Sequence, residues 1–225
     1  GLTDRILLSF FKKGCQNLKS LDLSHSPRLL TDYSLYLIGQ NCPQLQDINF
    51  SGVNVTMKSL KDMSSKCSKL KKIKLQRCYE VGEKALWWLF KQCPDLEYID
   101  IGGNIRITGQ CFFMLTQKCK TLIADDCIKV TSSSLSWVTY CKAIKLYTSH
   151  FYILLFSQLT DCGLEFLTKR CRSLEKLIIS NCLALTDAGI TDVLTKCTKL
   201  RALSFSNPPK QGTTLVNKIY QRVSI

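Results

Sequence analysis

Thirteen cysteines and two histidines are the first candidates for nucleophilic catalysis or metal binding in this chain of 225 residues. Neither His25 nor His150 lies near an acid and a nucleophile at the spacing of a catalytic triad. The sequence contains no glycine-rich phosphate-binding loop and no C-x-x-C pair of the kind that binds zinc. We therefore predict that the chain is not an enzyme and has no catalytic residues, no cofactor and no metal site.

The cysteines follow a regular spacing that does not look like a disulfide framework. Eight of them recur at intervals of 22–30 residues: Cys15, Cys42, Cys67, Cys93, Cys119, Cys141, Cys171 and Cys197. Cys78, Cys127 and Cys182 share a turn position within the same interval. We interpret these residues as reduced, buried thiols that pack as small hydrophobic side chains. Such thiols persist in a reducing compartment, so we expect a cytoplasmic location, with the nucleus as the alternative.

The cysteine spacing reflects an internal repeat, which is clearest at residues 171–197. The apolar run 177–179 predicts a strand, and Thr186 precedes apolar residues at helical spacing, Ile190 and Val193. A period of 26 residues with one strand and one helix is typical of a leucine-rich repeat. The pattern predicts stacked units that bury their apolar faces against their neighbours.

Two helix positions are nearly constant among the units. A threonine suited to cap the helix precedes most of them: Thr31, Thr56, Thr108, Thr131, Thr160 and Thr186. Three positions later the residue is always small: Ser34, Ser59, Ala85, Cys111, Ser134, Gly163 and Gly189. We expect close packing between neighbouring units at the small position. On the helix that carries Trp87 and Trp88, we expect one indole to pack inward and the other to be exposed or in a lateral contact.

The repeat predicts a simple domain organisation. Residues 15–206 form an array of about seven to eight units, preceded at 1–14 by the helical half of a truncated repeat. Residues 207–225 form a C-terminal cap or tail, since repeat arrays need atypical terminal units.

The array is irregular at residues 119–158. The unit from Cys119 is shortened to 22 residues, and the next is lengthened to 30, with a predicted strand at 144–146. Residues 148–158 then interrupt the pattern with the apolar run F-Y-I-L-L-F. This insertion is a buried extra strand, a partner-binding loop, or a sequence foreign to the natural product.

Charge and hydropathy limit the kinds of partner. The formal net charge is +14, but many of the basic residues lie near helix ends, where they favour the helix dipole. No nucleic-acid-binding motif accompanies the charge, so we do not expect a nucleic-acid partner. The longest apolar run, 151–156, is far shorter than the roughly 18 residues of a membrane-spanning helix, so we expect no membrane segment.

The pattern C-x-x-L-x-x-L-x-L-x-x-C-x-x-[LIV]-T-D-x-G-L covers most of residues 15–206 and is nearly complete in 171–197. It resembles the cysteine-containing subtype of leucine-rich repeats, which is typical of F-box/LRR proteins. The resemblance implies an α/β fold. It would be a right-handed solenoid, or horseshoe, with a parallel β-sheet on the concave face and helices on the convex face.

In the F-box/LRR family the F-box recruits a Skp-type adaptor and a cullin, and the repeats hold a protein substrate for ubiquitination. The resemblance therefore implies the substrate-recognition part of an SCF-type E3 ubiquitin ligase that serves ubiquitin-dependent protein catabolism. No F-box is visible, and we expect any F-box to lie upstream of Gly1. A non-F-box regulator of mitotic exit carries similar repeats. The alternative is thus a scaffold or cell-cycle regulator that binds a partner without ubiquitination.

In such a horseshoe, the polar residues of the strands face a partner across the concave surface. The candidate partner-binding residues are Asp22, Asp47, Asn49, Lys72, Lys74, Tyr98, Asp100, Asp125, Lys145, Tyr147 and Lys176. They form alternating acidic and basic bands, and Tyr98 and Tyr147 are candidate anchors because aromatic residues dominate binding energy at interfaces. We expect a protein partner of complementary charge on this face.

Overall fold

The structure of the chain is a computed structural model. It describes residues 3–12, 14–24, 30–116, 118–132, 134, 152–155, 159–170, 174–179, 182 and 184–205.

Short strands alternate with helices along the chain, as the repeat predicts. The strands are β1 Ser20–Asp22, β2 Asp47–Asn49, β3 Lys72–Lys74, β4 Tyr98–Asp100, β5 Thr121–Ile123, β6 Tyr152–Leu155, β7 Lys176–Ile179 and β8 Ala202–Phe205. The helices are α1 Asp4–Phe11, α2 Asp32–Asn41, α3 Met57–Lys66, α4 Glu83–Gln92, α5 Asp161–Arg170 and α6 Asp187–Lys196, with a 3-10 helix at Gln110–Met114.

The eight strands form one parallel sheet in chain order. The register aligns the central residues Leu21, Ile48, Ile73, Ile99, Leu122, Ile153, Leu177 and Leu203. Ile48, Ile73 and Ile99 are 0% exposed, so this row faces the helices across the core. The α/β leucine-rich-repeat solenoid expected from the sequence is confirmed.

Helix caps follow the predicted positions in the regular units. The hydroxyl of Thr31 accepts a hydrogen bond from the Tyr33 amide, and that of Thr186 accepts one from the Ala188 amide. At α3, Thr56 and Ser59 form a reciprocal capping box. Helices α2, α3, α4 and α6 end at the cysteines of the repeat, Cys42, Cys67, Cys93 and Cys197.

The cysteine thiols link neighbouring units within the core. Cys67 Sγ donates to the carbonyl of Cys42 at 3.3 Å, and Cys93 Sγ donates to that of Cys67 at 3.5 Å. Burial raises the pKa of both Cys67 and Cys93 to about 12. None of the cysteines that the structure describes forms a disulfide, and all are buried except the half-buried Cys15 and the exposed Cys162.

Aspartates at the start of one helix bind the capping threonine of the next, and we call this series of contacts the acid ladder. It was not predicted from the sequence. The Asp4 carboxylate accepts from the backbone amide and hydroxyl of Thr31 at 3.2 and 2.6 Å. Asp32 holds Thr56 in the same way one unit later, at 3.4 and 2.8 Å. Asp161 likewise accepts from Thr186. In these three pairs of units, the aspartate at the start of one helix therefore fixes the capping threonine of the next.

The small helix positions allow this close approach. A Cβ atom added to Gly189 would lie 2.2 Å from Oδ1 of Asp161, and one on Gly163 would lie 2.8 Å from Cβ of Ser132. Ser34 is fully buried, and its hydroxyl donates to Asp4. The predicted close packing between units at these positions is confirmed.

The helix predicted after Thr108 differs from the others. The structure has a 3-10 helix of five residues at Gln110–Met114, and its N-cap is Gly109, with a left-handed φ of 86°. The Thr108 hydroxyl does not cap it and instead donates to Glu83 of α4 at 3.1 Å. The Glu83 carboxylate also accepts from the amides of Gly109 and Cys111, both at 2.7 Å. The predicted Thr108 cap is therefore wrong, because an acid of the preceding unit satisfies these amides.

The sixth strand comes from the insertion at 148–158, for which an extra strand was one of the three possibilities. Between β5 and β7 the sheet contains Tyr152–Leu155, from the apolar run of the insertion. Its register places Ile153 between Leu122 and Leu177, in the apolar central row. An apolar run fits this row, since both neighbouring strands contribute leucine there. The prediction at 144–146, with Lys145 and Tyr147, falls outside the described residues.

The predicted boundaries at 1–14, 15–206 and 207–225 remain predictions. Helix α1 lies within the first segment and makes the Asp4 contact to Thr31 that later helices repeat. The segment 207–225 lies outside the described residues. Among the helices that the structure describes, none combines the length and the apolar character required to cross a membrane.

Candidate protein-binding face

The sheet presents two rows of outward strand positions on either side of its apolar central row. The first aligned row is Ser20, Asp47, Lys72, Tyr98, Thr121, Tyr152, Lys176 and Ala202. The second is Asp22, Asn49, Lys74, Asp100, Ile123, Leu154, Ile178 and Ser204. Neighbouring strands lie about 4.8 Å apart, so side chains of successive units can interact along each row. We call this surface the concave face.

The first row is partly neutralised by contacts between its own residues. Lys72 Nζ lies 3.4 Å from the Asp47 carboxylate, and both side chains are 38% exposed. The same ammonium lies 5.2 Å from the ring centroid of Tyr98. Burial raises the pKa of the Tyr98 hydroxyl, and nearby carboxylates add to this. Asp47, Lys72 and Tyr98 therefore form one connected group, so the predicted acidic and basic bands meet here as a pair.

The second row is organised around Asp100, which is only 3% exposed. Its carboxylate accepts from Gln76 Nε2 at 2.8 Å and from the Gly102 amide at 3.2 Å. Burial raises its pKa to about 6, and Asp125 adds to the rise. The Gly102 amide, the Lys74 ammonium and the Gln76 amide act in the opposite direction. The Asp100 carboxyl is thus engaged within the face and offers little charge to a partner.

At the amino-terminal edge, Asn49 Nδ2 donates to Asp22 at 3.0 Å. Asp22 also accepts from the amide and hydroxyl of Ser24, at 2.9 and 2.7 Å. Lys74 lies between Asn49 and Asp100 in the register of the sheet. Hydrogen bonding thus holds the acidic edge in one arrangement before any partner binds.

A polar pocket of about 390 Å³ opens where the strands end. Turns after β1 to β5 line it with Ser24, Ser51, Gly52, Gln76, Arg77, Gly102, Gly103, Asp125 and Asp126. Arg77 and Asp126 have left-handed backbones, with φ of 53° and 54°. The Arg77 side chain crosses close to Gly103, where an added Cβ would lie 2.9 Å from Arg77 Cγ. Glycine at 103, with its φ of 74°, is therefore needed for this turn.

Asp125 lies in this post-strand pocket and not within the strand. A Cβ atom added to Gly102 would lie only 2.2 Å from Oδ1 of Asp125. This oxygen is buried, and among the described residues it has no hydrogen-bond partner. Burial raises the pKa of the Asp125 carboxyl, the charge of Asp126 adds to the rise, and Arg77 opposes it. Oδ1 of Asp125 is therefore an unsatisfied, buried acceptor in the lining of the pocket.

The structure brings most predicted residues onto one surface. Those residues are Asp22, Asp47, Asn49, Lys72, Lys74, Tyr98 and Asp100, with Asp125 at the rim. Lys176 is on β7, four strands from Lys72, and therefore about 19 Å away along the sheet. The sequence reading missed the pocket residues Arg77, Gly103 and Asp126. The pairs Gly102-Gly103 and Asp125-Asp126 directly after strands were the available signal.

The concave face is equipped for binding by charge and hydrogen bonds. Within the described part of the chain, no group of three or more His, Cys, Asp or Glu side chains is arranged to hold a metal ion. The pocket offers carboxylates, an arginine and two serine hydroxyls within one depression. This arrangement suits the polar and charged groups of a protein surface.

Two relatives illustrate what the sequence is similar to. EEED8.10 of Caenorhabditis elegans, provisionally named an RNA-binding protein, is 27% identical over 183 residues, which are 79% of this chain and 24% of that protein. F-box/LRR-repeat protein 4 of Bos taurus is 28% identical over 199 residues, which are 85% of this chain and 31% of that protein. The chain thus spans less than a third of the length of these relatives.

Comparison of structures agrees with the fold. The leucine-rich repeat-containing protein LegL7 from Legionella pneumophila superimposes with a TM-score of 0.59 at 9% identity, covering 99% of this chain and 78% of that chain. The F-box/LRR resemblance expected from the cysteine pattern is confirmed by the named relative. The family described as BspA type Leucine rich repeat region matches in six copies over residues 5–122 and 87–210. The chain therefore belongs to this family of leucine-rich-repeat proteins.

Proposed function

We propose that the chain is a protein-binding repeat domain that forms the substrate-recognition part of an SCF-type E3 ubiquitin ligase. In this role the concave face holds a protein substrate, and a Skp-type adaptor and a cullin join through an F-box elsewhere in the full product. The chain itself carries no chemistry and acts by positioning the substrate.

The observation that carries this proposal is the combination of a polar concave face with similarity to an F-box/LRR-repeat protein over 85% of the chain. The face is prearranged, because Asp47 pairs with Lys72 and Asn49 with Asp22 before a partner arrives. Prearranged side chains lose little conformational freedom on binding. The half-buried Tyr98 and Lys74 are the residues through which we expect a substrate to gain most affinity.

The alternative is a scaffold or cell-cycle regulator that uses the same face without ubiquitination. The similarity lies in the leucine-rich repeats of this chain, and such repeats serve either function. Both functions use the concave face, and the presence of an adaptor and a cullin separates them.

The test is an affinity purification of the full-length product from cells, followed by mass spectrometry. It compares the natural protein with a double variant, Lys74→Glu with Tyr98→Ala, and with the control Lys58→Glu on the convex helix α3. We expect the adaptor and the cullin with all three proteins, and a set of candidate substrates lost only from the double variant. Recovery of a stoichiometric partner without adaptor or cullin would contradict the ligase role and support the scaffold.

A nucleic-acid partner is tested in the same experiment. The net charge of +14 and the name of the C. elegans relative raise this function. However, Lys72 is paired with Asp47, and the pocket contains Asp125 and Asp126, which repel phosphate. We expect nuclease treatment to leave the recovered partners unchanged. Loss of the partners on treatment would show that nucleic acid bridges them.

A further inference from the structure

A second candidate surface lies among the helices, on the opposite side of the array from the concave face. It is a groove of about 240 Å³ between α4 and the 3-10 helix, and its lining includes Glu83, Lys84, Trp87, Trp88 and Phe113. We call it the tryptophan groove. No residue of the predicted concave site takes part in it.

The groove forms because neighbouring helices differ in length. Helix α4 has ten residues, whereas the 3-10 helix beside it has five. Lys84, Trp87, Trp88 and Lys91 recur at i, i+3, i+4 and i+7, so they form one stripe along α4. The short neighbour leaves part of this stripe uncovered.

The two indoles provide a large apolar surface that the core uses only in part. Both are half-buried, and their rings contact edge to face with centroids 4.8 Å apart. This agrees with the expectation: Trp87 packs against the core, and Trp88 makes a lateral contact with Lys61 of α3. Phe113 on the facing 3-10 helix is 45% exposed. Exposed aromatic side chains that converge on a groove are typical of protein-binding sites.

The rim of the groove is cationic. Lys61 Nζ of α3 lies 4.0 Å from the ring centroid of Trp88, and Lys91 Nζ lies 4.9 Å from that of Trp87. The acid in the lining, Glu83, accepts from the backbone amides of Gly109 and Cys111. Its charge is thus engaged within the protein, and the ammonium groups dominate the field that a partner meets.

We propose that the tryptophan groove docks an acidic peptide segment of a partner protein, with aromatic or aliphatic side chains among its carboxylates. The apolar side chains enter between Trp87, Trp88 and Phe113. The carboxylates pair with Lys61, Lys84 and Lys91. The ammonium groups of Lys61 and Lys91 keep donors for a carboxylate while they lie over the rings. Charge complementarity thus selects an acidic partner over a basic one.

The same charge argument disfavours the chain's own C-terminal segment as the occupant. Residues 206–225 contain no acid and carry Lys210, Lys218 and Arg222. A basic segment would be repelled by the lysines of the rim. The proposed occupant is therefore a separate protein.

The experiment selects peptides from a displayed library that places Phe, Leu and Trp among randomised Asp, Glu, Gln and Lys positions. The immobilised bait is the whole 225-residue chain. Enriched sequences are synthesised with a label, and their affinity is measured by fluorescence anisotropy. We expect enrichment of acidic sequences that contain at least one aromatic residue. Replacing their acids with the corresponding amides should weaken binding about tenfold.

Variants of the chain locate the site. We expect Trp88→Ala, and independently the double variant Lys61→Glu with Lys91→Glu, to weaken binding by about tenfold or more. The matched controls are Tyr36→Ala, an aromatic residue 51% exposed on α2, and Lys58→Glu, an exposed lysine on α3. These controls should change affinity less than about twofold. Circular dichroism confirms that each variant is folded, and the lysine variant keeps the test valid if Trp88→Ala unfolds.

Three outcomes of the peptide selection would overturn the proposal. These are no enrichment, enrichment of neutral or basic sequences, and acidic peptides whose affinity is unchanged in both variants. Self-association of the chain that is lost in Trp88→Ala would identify a second copy as the occupant and would equally overturn it. Peptides that lose affinity only in Lys74→Glu bind the concave face, so this result separates the two surfaces.

Discussion

Helix α3 and the 3-10 helix occupy the same place in units of one repeat, yet their first turns are stabilised differently. At α3, Thr56 caps the helix and is held by Asp32 of the preceding unit. At the 3-10 helix, Gly109 takes the cap position with a left-handed backbone, and Glu83 of the preceding unit binds the amides directly. In both cases an acid of the preceding unit satisfies the start of the next helix.

The difference shows what a repeat specifies. It requires that the free amides of each helix start be satisfied, because buried unpaired amides are costly. It does not specify which side chain satisfies them. Glutamate is longer than aspartate and reaches the amides themselves, and the helix that follows is short. The regular units therefore close over their neighbours, whereas the irregular one leaves the tryptophan groove open.

The largest expected effect compares the buried row with an outward row. Ile73 in β3 is 0% exposed, and Ile73→Ala should lower the free energy of unfolding by about 4 kcal/mol through lost burial and a cavity. Ile123 in β5 is half-buried on the outward row, and Ile123→Ala should cost about 1 kcal/mol. Urea unfolding followed by circular dichroism measures both. Equal losses would contradict the assignment of the two rows.

The pKa of Asp100 differs between the folded and the unfolded chain. Burial raises its pKa in the folded state to about 6, above its ordinary value of 3.8. The folded chain therefore binds this proton more tightly, and the contribution of Asp100 to stability falls as pH rises through that window. Relative to Asp100→Asn, the natural chain should gain up to about 3 kcal/mol between neutral pH and pH of about 4.

The measurement for Asp100 is urea unfolding of both proteins at several pH values. Asp22, an exposed acid on the same face, supplies the matched control as Asp22→Asn. A gain of stability on acidification, relative to the variant, is expected for Asp100→Asn and not for Asp22→Asn. A natural chain that loses stability relative to Asp100→Asn on acidification would reverse the assigned direction of the pKa.

The two kinds of helix start can be compared by removing their acids. Glu83→Ala removes the acceptor of the Gly109 and Cys111 amides and should destabilise the chain by about 2 kcal/mol. Asp32→Ala should cost about 1 kcal/mol, because Thr56 and Ser59 still cap α3. Thermal unfolding gives both values. A larger loss for Asp32→Ala would show that the contact of Asp32 with Thr56 contributes more to stability than the contact of Glu83 with the amides of Gly109 and Cys111.

The smallest effect on stability concerns the cysteines. Burial raises the pKa of Cys78 to about 12, whereas Cys162 is exposed on α5. Because the thiolate is the reactive form, Cys78 should be alkylated at least about a hundredfold more slowly than Cys162 in the native chain. Mass spectrometry of the labelled peptides measures this ratio. Cys162→Ser should change stability by less than about 0.5 kcal/mol, and rapid labelling of Cys78 would contradict its burial.

Much of the fold was predictable because its signals are local and repeated. Alternation within each strand, the capping threonine and the small residue after it are each visible within one 26-residue period. Where a unit departs from the period, the prediction left three possibilities open for the insertion. The choice of 152–155 as β6 depends on pairing with the strands that contain Leu122 and Leu177, which no single period shows.

The candidate site was predictable only in part, for a related reason. Strand residues such as Lys72 and Tyr98 follow from the alternation of the strand. The pocket depends on turns of several units meeting at one edge, and on the left-handed backbones of Arg77 and Asp126. The tryptophan groove depends on the short length of the 3-10 helix beside α4, and the sequence of α4 does not predict that length.

By itself, the sequence determined the repeat, the parallel order of the strands and the burial of most cysteines, because each follows from periodic apolar positions that must be covered by the next unit. Only the tertiary structure decided which charges are paired, which acid binds which helix start, and where the groove and the pocket open. Those features arise from contacts between residues about 25 positions apart, such as Glu83 with Gly109. Such contacts depend on how two units stack, and the sequence of one unit does not specify how its neighbour lies against it.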